Sequence, residues 1–163
     1  MRKVYAYGLA TALLLALTRF ETNMFVSGSF SVLRLGSWMA ALIFAHNSLA
    51  ATAVTVSICF YMALVEALPE RFRKKEVLVV KHAKIFSVAL AVFLVFNSVF
   101  MGVGMVAFQF IHLWLPVAVV EVCGLYLATF YPLQKRVSLT NMVKVYAVFL
   151  VGALVETAVI LYV

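Results

Sequence analysis

The sequence has no aspartate, and its acidic residues are six glutamates. Only 12% of the residues are charged and 66% are hydrophobic, whereas a soluble domain carries about 25% charged and about 45–50% apolar residues. Folding in water buries only about 70% of the surface of a chain of this length. So much apolar surface therefore excludes a water-soluble globular domain. It also excludes disorder, which requires few apolar residues and much charge.

Motifs for soluble chemistry are missing as well. The two cysteines, Cys59 and Cys123, lie inside apolar runs and form no CxxC pair, which excludes a disulfide framework. There is no phosphate-binding loop, no GxSxG motif and no HExxH motif. His46 and His112 are both expected near the outer face of a membrane, but no third ligand stands at a useful spacing. We therefore predict no enzymatic activity, no cofactor and no metal site.

What the sequence has in abundance is long uncharged runs. A bilayer core about 30 Å thick needs about 20 apolar residues per helix, and these runs are too long and too continuous for the strands of a β-barrel. They predict an all-α fold, a polytopic transmembrane helix bundle that forms a single domain over residues 1–163. The five predicted spans are residues 4–19, 38–68, 84–108, 114–134 and 144–163.

Single residues decide the details of these spans. The turn between the third and fourth spans is placed near Phe108–Pro116, because Trp114 favours the interface and proline suits the first turn of a helix. The second span is too long for one straight crossing, so either it tilts or its Gly36–Trp38 end lies in the interface. Residues 20–34 are expected to form an interfacial segment on the outer face, since Gly28 and its flanking serines weaken a helix.

Lysine and arginine are concentrated on one predicted side. Five crossings place the N-terminus and the basic loops 70–84 and 135–144 on the same side, with eleven of the thirteen basic residues. Because cytoplasmic loops carry the excess of Lys and Arg, the N-terminus is predicted to be cytoplasmic in a multi-pass protein of the cell membrane. Topology accounts for this charge, so the expected partner is the lipid bilayer and not nucleic acid.

The first fifteen residues have a second interpretation. Their basic start and apolar centre also resemble a signal peptide. No clear small-x-small cleavage site precedes Arg19, and we therefore expect a helix that is retained.

Three polar residues inside the apolar runs form the predicted site, which we expect to be a mid-membrane polar cluster. Asn97 lies 13 residues beyond Lys84, Glu121 lies 14 residues before Lys135, and Glu156 lies 12 residues beyond Lys144. At about 1.5 Å per residue, all three are about 18–21 Å from the cytoplasmic boundary. Polar groups at this depth are expensive and tend to be functional.

Two roles are open for this cluster. The two glutamates either stay protonated, because desolvation disfavours the charged carboxylate, or share a proton and titrate as a pair. A proton- or ion-responsive core is the functional interpretation. The structural one is a polar clamp, in which each interhelical hydrogen bond contributes about 0.6 kcal/mol and at most about 1.7. We favour the clamp, and we expect the helix face of Ser48, Ala51, Thr52 and Thr55 to suit close packing.

The same positions carry a family resemblance over roughly residues 40–160. They are Asn47 in the second span, Leu94–Ser98 with Gly102 in the third, Pro116 with Glu121 in the fourth, and Ala153–Glu156 in the last. This pattern resembles the stage II sporulation protein M family of integral membrane proteins, which is also found in archaea. The chain departs from the family where Ser98 replaces a glycine, His46 replaces an asparagine, and Val117-Ala118 follows Pro116.

The resemblance implies a membrane component and not an enzyme. The founding member of that family is a membrane part of a complex with secreted cell-wall hydrolases. We therefore expect a scaffold or subunit that forms a homo-oligomer or recruits other membrane proteins. The alternative is a small proton-coupled transporter, or a transporter-associated permease subunit, that uses Glu121 and Glu156 as proton carriers.

Overall fold

A computed structural model describes residues 2–32, 38–70, 79–102 and 111–162, with side chains described at all of these positions except 19–32, 97–102, 111–114 and 162. These ranges contain five α-helices and no strand, which confirms the all-α class. The helices are α1 (Arg2–Val32), α2 (Trp38–Ala67), α3 (Ala83–Gly102), α4 (Ile111–Leu133) and α5 (Leu139–Tyr162).

The first helix is longer than the sequence indicated. We predicted a span over residues 4–19 followed by an interfacial segment, but α1 continues as one helix of 31 residues to Val32. A glycine inside a helix costs only about 1 kcal/mol relative to alanine, so Gly28 does not end it. Residues 33–37, where the predicted segment ends, lie outside the described residues.

The fourth helix begins before its predicted start and contains two prolines, one toward each end. α4 begins at Ile111, so Pro116 lies inside the helix and not in its first turn, and Pro132 lies near its last residue. The predicted turn near 108–116 falls partly on residues 103–110, outside the described part of the chain. The end of α4 is closed by Lys135 in the left-handed conformation, with φ of 55°. The Arg136 and Lys135 amides donate 2.9 Å hydrogen bonds to the carbonyls of Tyr131 and Pro132.

The fifth helix begins before Lys144, which marked its predicted start. We predicted a start at residue 144, but α5 begins at Leu139 because Ser138 caps it. The Ser138 hydroxyl oxygen accepts a 3.2 Å hydrogen bond from the Asn141 amide. The Asn141 side chain in turn donates a 2.6 Å bond to the Arg136 carbonyl. The connection between α4 and α5 therefore shortens to residues 134–138.

Three helices form the centre of the bundle. α2, α4 and α5 each pack against the other two, α1 packs against α2, and α3 packs against α4. The main core consists of Ala51, Ala91, Val95, Leu125, Ala128, Val145 and Phe149. Several of these side chains are small, which lets helix backbones approach closely, and close packing is what holds helices together when their surroundings are lipid.

The contacts also show the directions of the helices. Thr55 of α2 contacts Ala128 of α4, and further along both helices Glu66 forms an ion pair with Lys135 just after α4. α2 and α4 therefore run parallel. This is the arrangement expected when each helix crosses a layer in the direction opposite to the helix before it.

One end of the bundle collects the basic residues, and we call it the basic end. There Met62 near the end of α2, Ala83 at the start of α3 and Leu133 at the end of α4 are buried together. Gly8 near the start of α1 lies against the ring of Phe60. The described basic residues at or next to this end are Arg2, Lys3, Lys81, Lys84, Lys135, Arg136 and Lys144.

Apolar surface covers the outside of the bundle. Among the described residues, three helical stretches are long and apolar enough to span a membrane, Trp38–Ala67, Leu115–Leu133 and Leu139–Leu161. Only 28% of the apolar window in each of them is buried inside the chain, so most of this surface needs an apolar surrounding. Within α3, the stretch Ala83–Phe96, whose side chains the structure describes, is apolar as well.

Candidate functional site

The crossing of α4 over α5 depends on a glycine. The ring of Phe149, which is only 2% exposed, lies directly on Gly124. A Cβ atom at Gly124 would be 2.6 Å from Phe149 Cζ, which is far inside van der Waals contact. Val120 and Gly152 meet one turn further along, so α4 and α5 are antiparallel and in close contact there.

Two hydroxyl bonds join α2 to the other central helices. Thr55 Oγ1 donates a 3.0 Å hydrogen bond to the carbonyl of Ala128 in α4. Thr52 Oγ1 lies 2.8 Å from Tyr146 Oη of α5, and it donates its own proton to the Ser48 carbonyl at 2.7 Å. Because a hydroxyl has one proton, Tyr146 is the donor in the first of these two bonds. These contacts agree with the packing face predicted on α2.

Next to this packed region lies the candidate site, which we call the glutamate cluster and define as His46, Asn47, Glu121 and Glu156. Asn47 Nδ2 of α2 donates a long, 3.4 Å hydrogen bond to Glu121 Oε1 of α4. Glu156 of α5 is close enough to Glu121 for the two carboxyl groups to interact electrostatically, and His46 of α2 also lies within electrostatic range of Glu121. The cluster therefore draws one or more polar groups from each of the three central helices.

The cluster lies toward the end of the bundle opposite the basic end. At about 1.5 Å per residue, Glu156 is about 9 Å from the last residue of α5, and Glu121 is about 18 Å from the last residue of α4. Counting residues places His46 and Asn47 near the outer face and the two glutamates near mid-membrane. That separation is wrong, because Asn47 contacts Glu121. α2 has 30 residues and α4 has 23. Counting residues back from the end of each helix therefore overestimated the difference in depth between Asn47 and Glu121.

The other predicted positions are only partly described. Asn97 and Gly102 lie in α3, but their side chains are outside the described residues, so the predicted meeting of Asn97 with the glutamates is too. Pro116 is exposed and lies five residues before Glu121. His46 was not predicted to join the cluster. The sequence feature that could have indicated His46 is its neighbour Asn47, which is a position of the family pattern.

Two grooves on the described residues lie elsewhere. One has a volume of about 360 Å³ and is lined by apolar side chains and Cys123, and the other, of about 300 Å³, lies at the basic end. Neither is lined by a residue of the glutamate cluster. In the described part of the chain, no three His, Cys or Glu residues are grouped to hold a metal ion. The cluster is thus a contact between helices that does not line either groove.

Comparison with known proteins gives no assignment for this cluster. No family model, no curated protein and no solved structure matches the chain. What the cluster does is therefore argued from its geometry and from the sequence pattern alone.

Proposed function

We propose that the chain is a multi-pass protein of the cell membrane that crosses the bilayer five times, with the basic end and the N-terminus in the cytoplasm. Five helices and the parallel course of α2 and α4 support this arrangement. The distribution of charge supports it further, since Lys and Arg of several segments meet at one end. An excess of positive charge is typical of the cytoplasmic side.

Within that membrane, we infer that the protein is a non-enzymatic scaffold or subunit, which self-associates or recruits other membrane proteins. The observation that carries this proposal is that Asn47, Glu121 and Glu156 come from three packed helices and interact there, the first two through a hydrogen bond and the two glutamates electrostatically. In lipid, the hydrogen bond between Asn47 and Glu121 adds a small preference for the register that the packing of the helices sets. Little described chain is left outside the helices for chemistry, since residues 134–138 make up the whole connection between α4 and α5.

The resemblance to the stage II sporulation protein M family supports the same role. Three positions from that pattern, Asn47, Glu121 and Glu156, come from different helices and lie together in the fold. Pattern residues that lie together in the fold support the resemblance more strongly than pattern residues that only recur in order along the chain. Membership of the family remains a prediction, and with it the expectation that the protein works as part of a larger membrane complex.

A second candidate function is a proton-coupled transporter or transporter-associated permease subunit. The observation in its favour is the pair of carboxyl groups itself, because two acids that interact electrostatically titrate as a coupled pair. His46 beside Glu121 adds a third titratable group. In this alternative the ionisation of the glutamates, and not their shape, is what matters.

The double variant Glu121→Gln with Glu156→Gln separates the two functions, since glutamine keeps the hydrogen-bonding shape and removes the proton. The wild-type and variant proteins would be purified in detergent for light scattering and then reconstituted in liposomes for a flux assay. We expect the two proteins to have the same oligomeric mass. We expect neither to give a proton flux, reported by an enclosed pH-sensitive dye, above that of empty liposomes. Glu66→Gln, which removes an exposed carboxylate at the basic end, is the matched control.

The replacement of both glutamates by alanine completes the test. Alanine removes the hydrogen bond between Asn47 and Glu121 as well as the acidic groups, so we expect the double alanine variant to unfold at a lower concentration of SDS than the double glutamine variant. A glutamine variant that folds normally but no longer associates would contradict the scaffold. Proton flux in the wild type that the glutamine variant abolishes would establish the transporter instead.

A further inference from the structure

The groove at the basic end has a chemical character of its own, and we call it the α3 entry cavity. Its volume is about 300 Å³, which is at the lower limit for sites that take small molecules. One wall is the segment of residues 80–85 at the start of α3, and the other is formed by Phe130 and Gln134 at the end of α4.

The wall at the start of α3 is held in place by apolar anchors. Ala83 is buried with Met62 and Leu133, and Val79 and Val80 pack on this group. With the backbone fixed by these contacts, Lys81, His82 and Lys84 remain exposed and line the cavity. Two lysines and a histidine are thus presented from four consecutive residues.

The lining of the cavity, as far as the structure describes it, contains no acidic side chain that would neutralise its charge. Glu66, an acidic residue at the same end of the bundle, forms an ion pair with Lys135 at 2.5 Å. Gln134 adds an uncharged side-chain amide that can donate hydrogen bonds. The cavity therefore has the chemistry of an anion site, and Lys is a common partner of phosphate.

The same cavity also has an apolar side. Phe130 and Ile85 belong to the lining, and Ile85 is 70% exposed on the surface of α3 that continues toward the apolar part of the bundle. A ligand that fits both sides has a negatively charged head and an apolar tail. A soluble anion such as inorganic phosphate would use the lysines but would gain nothing from Ile85 and Phe130.

We propose that the α3 entry cavity binds the phosphate of an anionic phospholipid, with Lys81 and Lys84 holding the headgroup and an acyl chain lying along Ile85 and Phe130. This proposal rests on the proposed membrane position of the basic end, and it adds a specific lipid ligand to it. Such a ligand ties the start of α3 to one leaflet. It is distinct from diffuse attraction, in which every exposed lysine near an anionic surface takes part.

The test uses the full-length protein in detergent micelles, titrated with phosphatidylglycerol or phosphatidylcholine and followed by native mass spectrometry. We expect one phosphatidylglycerol to bind in clear preference to phosphatidylcholine. The double variant Lys81→Gln with Lys84→Gln is expected to bind it about 25-fold more weakly, since a lysine at an anionic lipid is worth about fivefold. Both lysines are exposed, and circular dichroism verifies that the variant is folded.

The control is the double variant Lys3→Gln with Lys144→Gln, which removes the same charge from lysines that do not line the cavity. We expect its affinity for phosphatidylglycerol to equal that of the wild type, and the double arginine variant at 81 and 84 to retain binding. Equal losses in the two glutamine variants would overturn the site in favour of diffuse attraction. Competition by inorganic phosphate at the lipid's own concentration would overturn the lipid as the ligand.

A flotation assay with liposomes keeps this test separate from the proposed function. Protein that floats with the liposomes after alkaline extraction is inserted in the membrane, whatever its headgroup preference. Inserted protein without a preference for phosphatidylglycerol overturns the lipid site alone. Protein that fails to insert overturns both the site and the membrane topology.

Discussion

The crossing of α4 over α5 and the glutamate cluster are neighbours built in different ways. Gly124 and Glu121 are three residues apart on α4. At Gly124 a buried ring lies on the backbone with no room for one more carbon atom, whereas Glu121 is half-buried and its hydrogen bond to Asn47 is 3.4 Å long. The comparison teaches that shape positions these helices, while the polar cluster fits into the arrangement that shape has already set.

The two regions also differ in what they contribute to stability. Between helices in lipid, a hydrogen bond averages only about 0.6 kcal/mol, and a bond longer than about 3.2 Å is weaker still. Overpacking a core costs about 1–3 kcal/mol. If this ranking holds, the glutamates can change their protonation without unfolding the bundle, as the transporter alternative requires.

The largest effect is expected from Gly124→Ala. Its new methyl group would be 2.6 Å from Phe149 Cζ, so the ring or the helix must move, and we expect a loss of about 1–3 kcal/mol in the free energy of unfolding. SDS titration followed by circular dichroism measures it. Gly152→Ala is the control, because its methyl group would be 3.3 Å from Val120 Cγ1. Equal losses in the two variants would show that the tight contact carries no special weight.

A smaller effect is expected from Thr55→Val, which keeps the shape of the side chain and removes its hydrogen bond to Ala128. We expect a loss of about 0.6–1.7 kcal/mol, because the bond joins two helices. Thr129→Val is the matched control, since Thr129 is also buried but donates to Leu125 of its own helix. Reversible unfolding in mixed micelles compares the two. A larger loss for Thr129→Val would argue that bonds between helices do not hold α2 to α4.

The smallest effect is expected from Asn47→Leu, which removes the amide that donates to Glu121. Because this bond is long, we expect at most about 0.6 kcal/mol. The same unfolding measurement made on Glu121→Gln shows whether the rest of the cluster behaves alike. A loss for Asn47→Leu greater than that for Thr55→Val would reverse the comparison and make the polar cluster the stronger support of the fold.

The sequence was a good guide to the elements that the bilayer itself dictates. The predicted second span, 38–68, corresponds to α2 within one residue at its end, and the fourth span matches α4 within three residues. Long apolar runs in lipid must form helices because no water satisfies the backbone. The start of α5 was missed because Lys144 was taken as its boundary, although Ser138 carried the capping signal.

The candidate site was predictable only in part. Glu121 and Glu156 stand out in a sequence as acids inside apolar runs, and the structure brings them within electrostatic range. His46 and Asn47 were placed at a different level, because residue counting treats every helix as equally long and equally tilted. Which side chains share a level depends on the packing of α2 against α4, and that depends on contacts such as Thr55 with Ala128.

The sequence by itself determined that this chain is helical and that its surface is suited to lipid, since composition and the length of the apolar runs decide both. It also determined which residues are basic and where polar groups interrupt the apolar runs. Only the tertiary structure decided that α2, α4 and α5 form the centre, that Asn47 contacts Glu121, and that two lysines line a cavity with Phe130. The physical reason is that helix formation is local, whereas the register between helices depends on the fit of surfaces far apart in the chain.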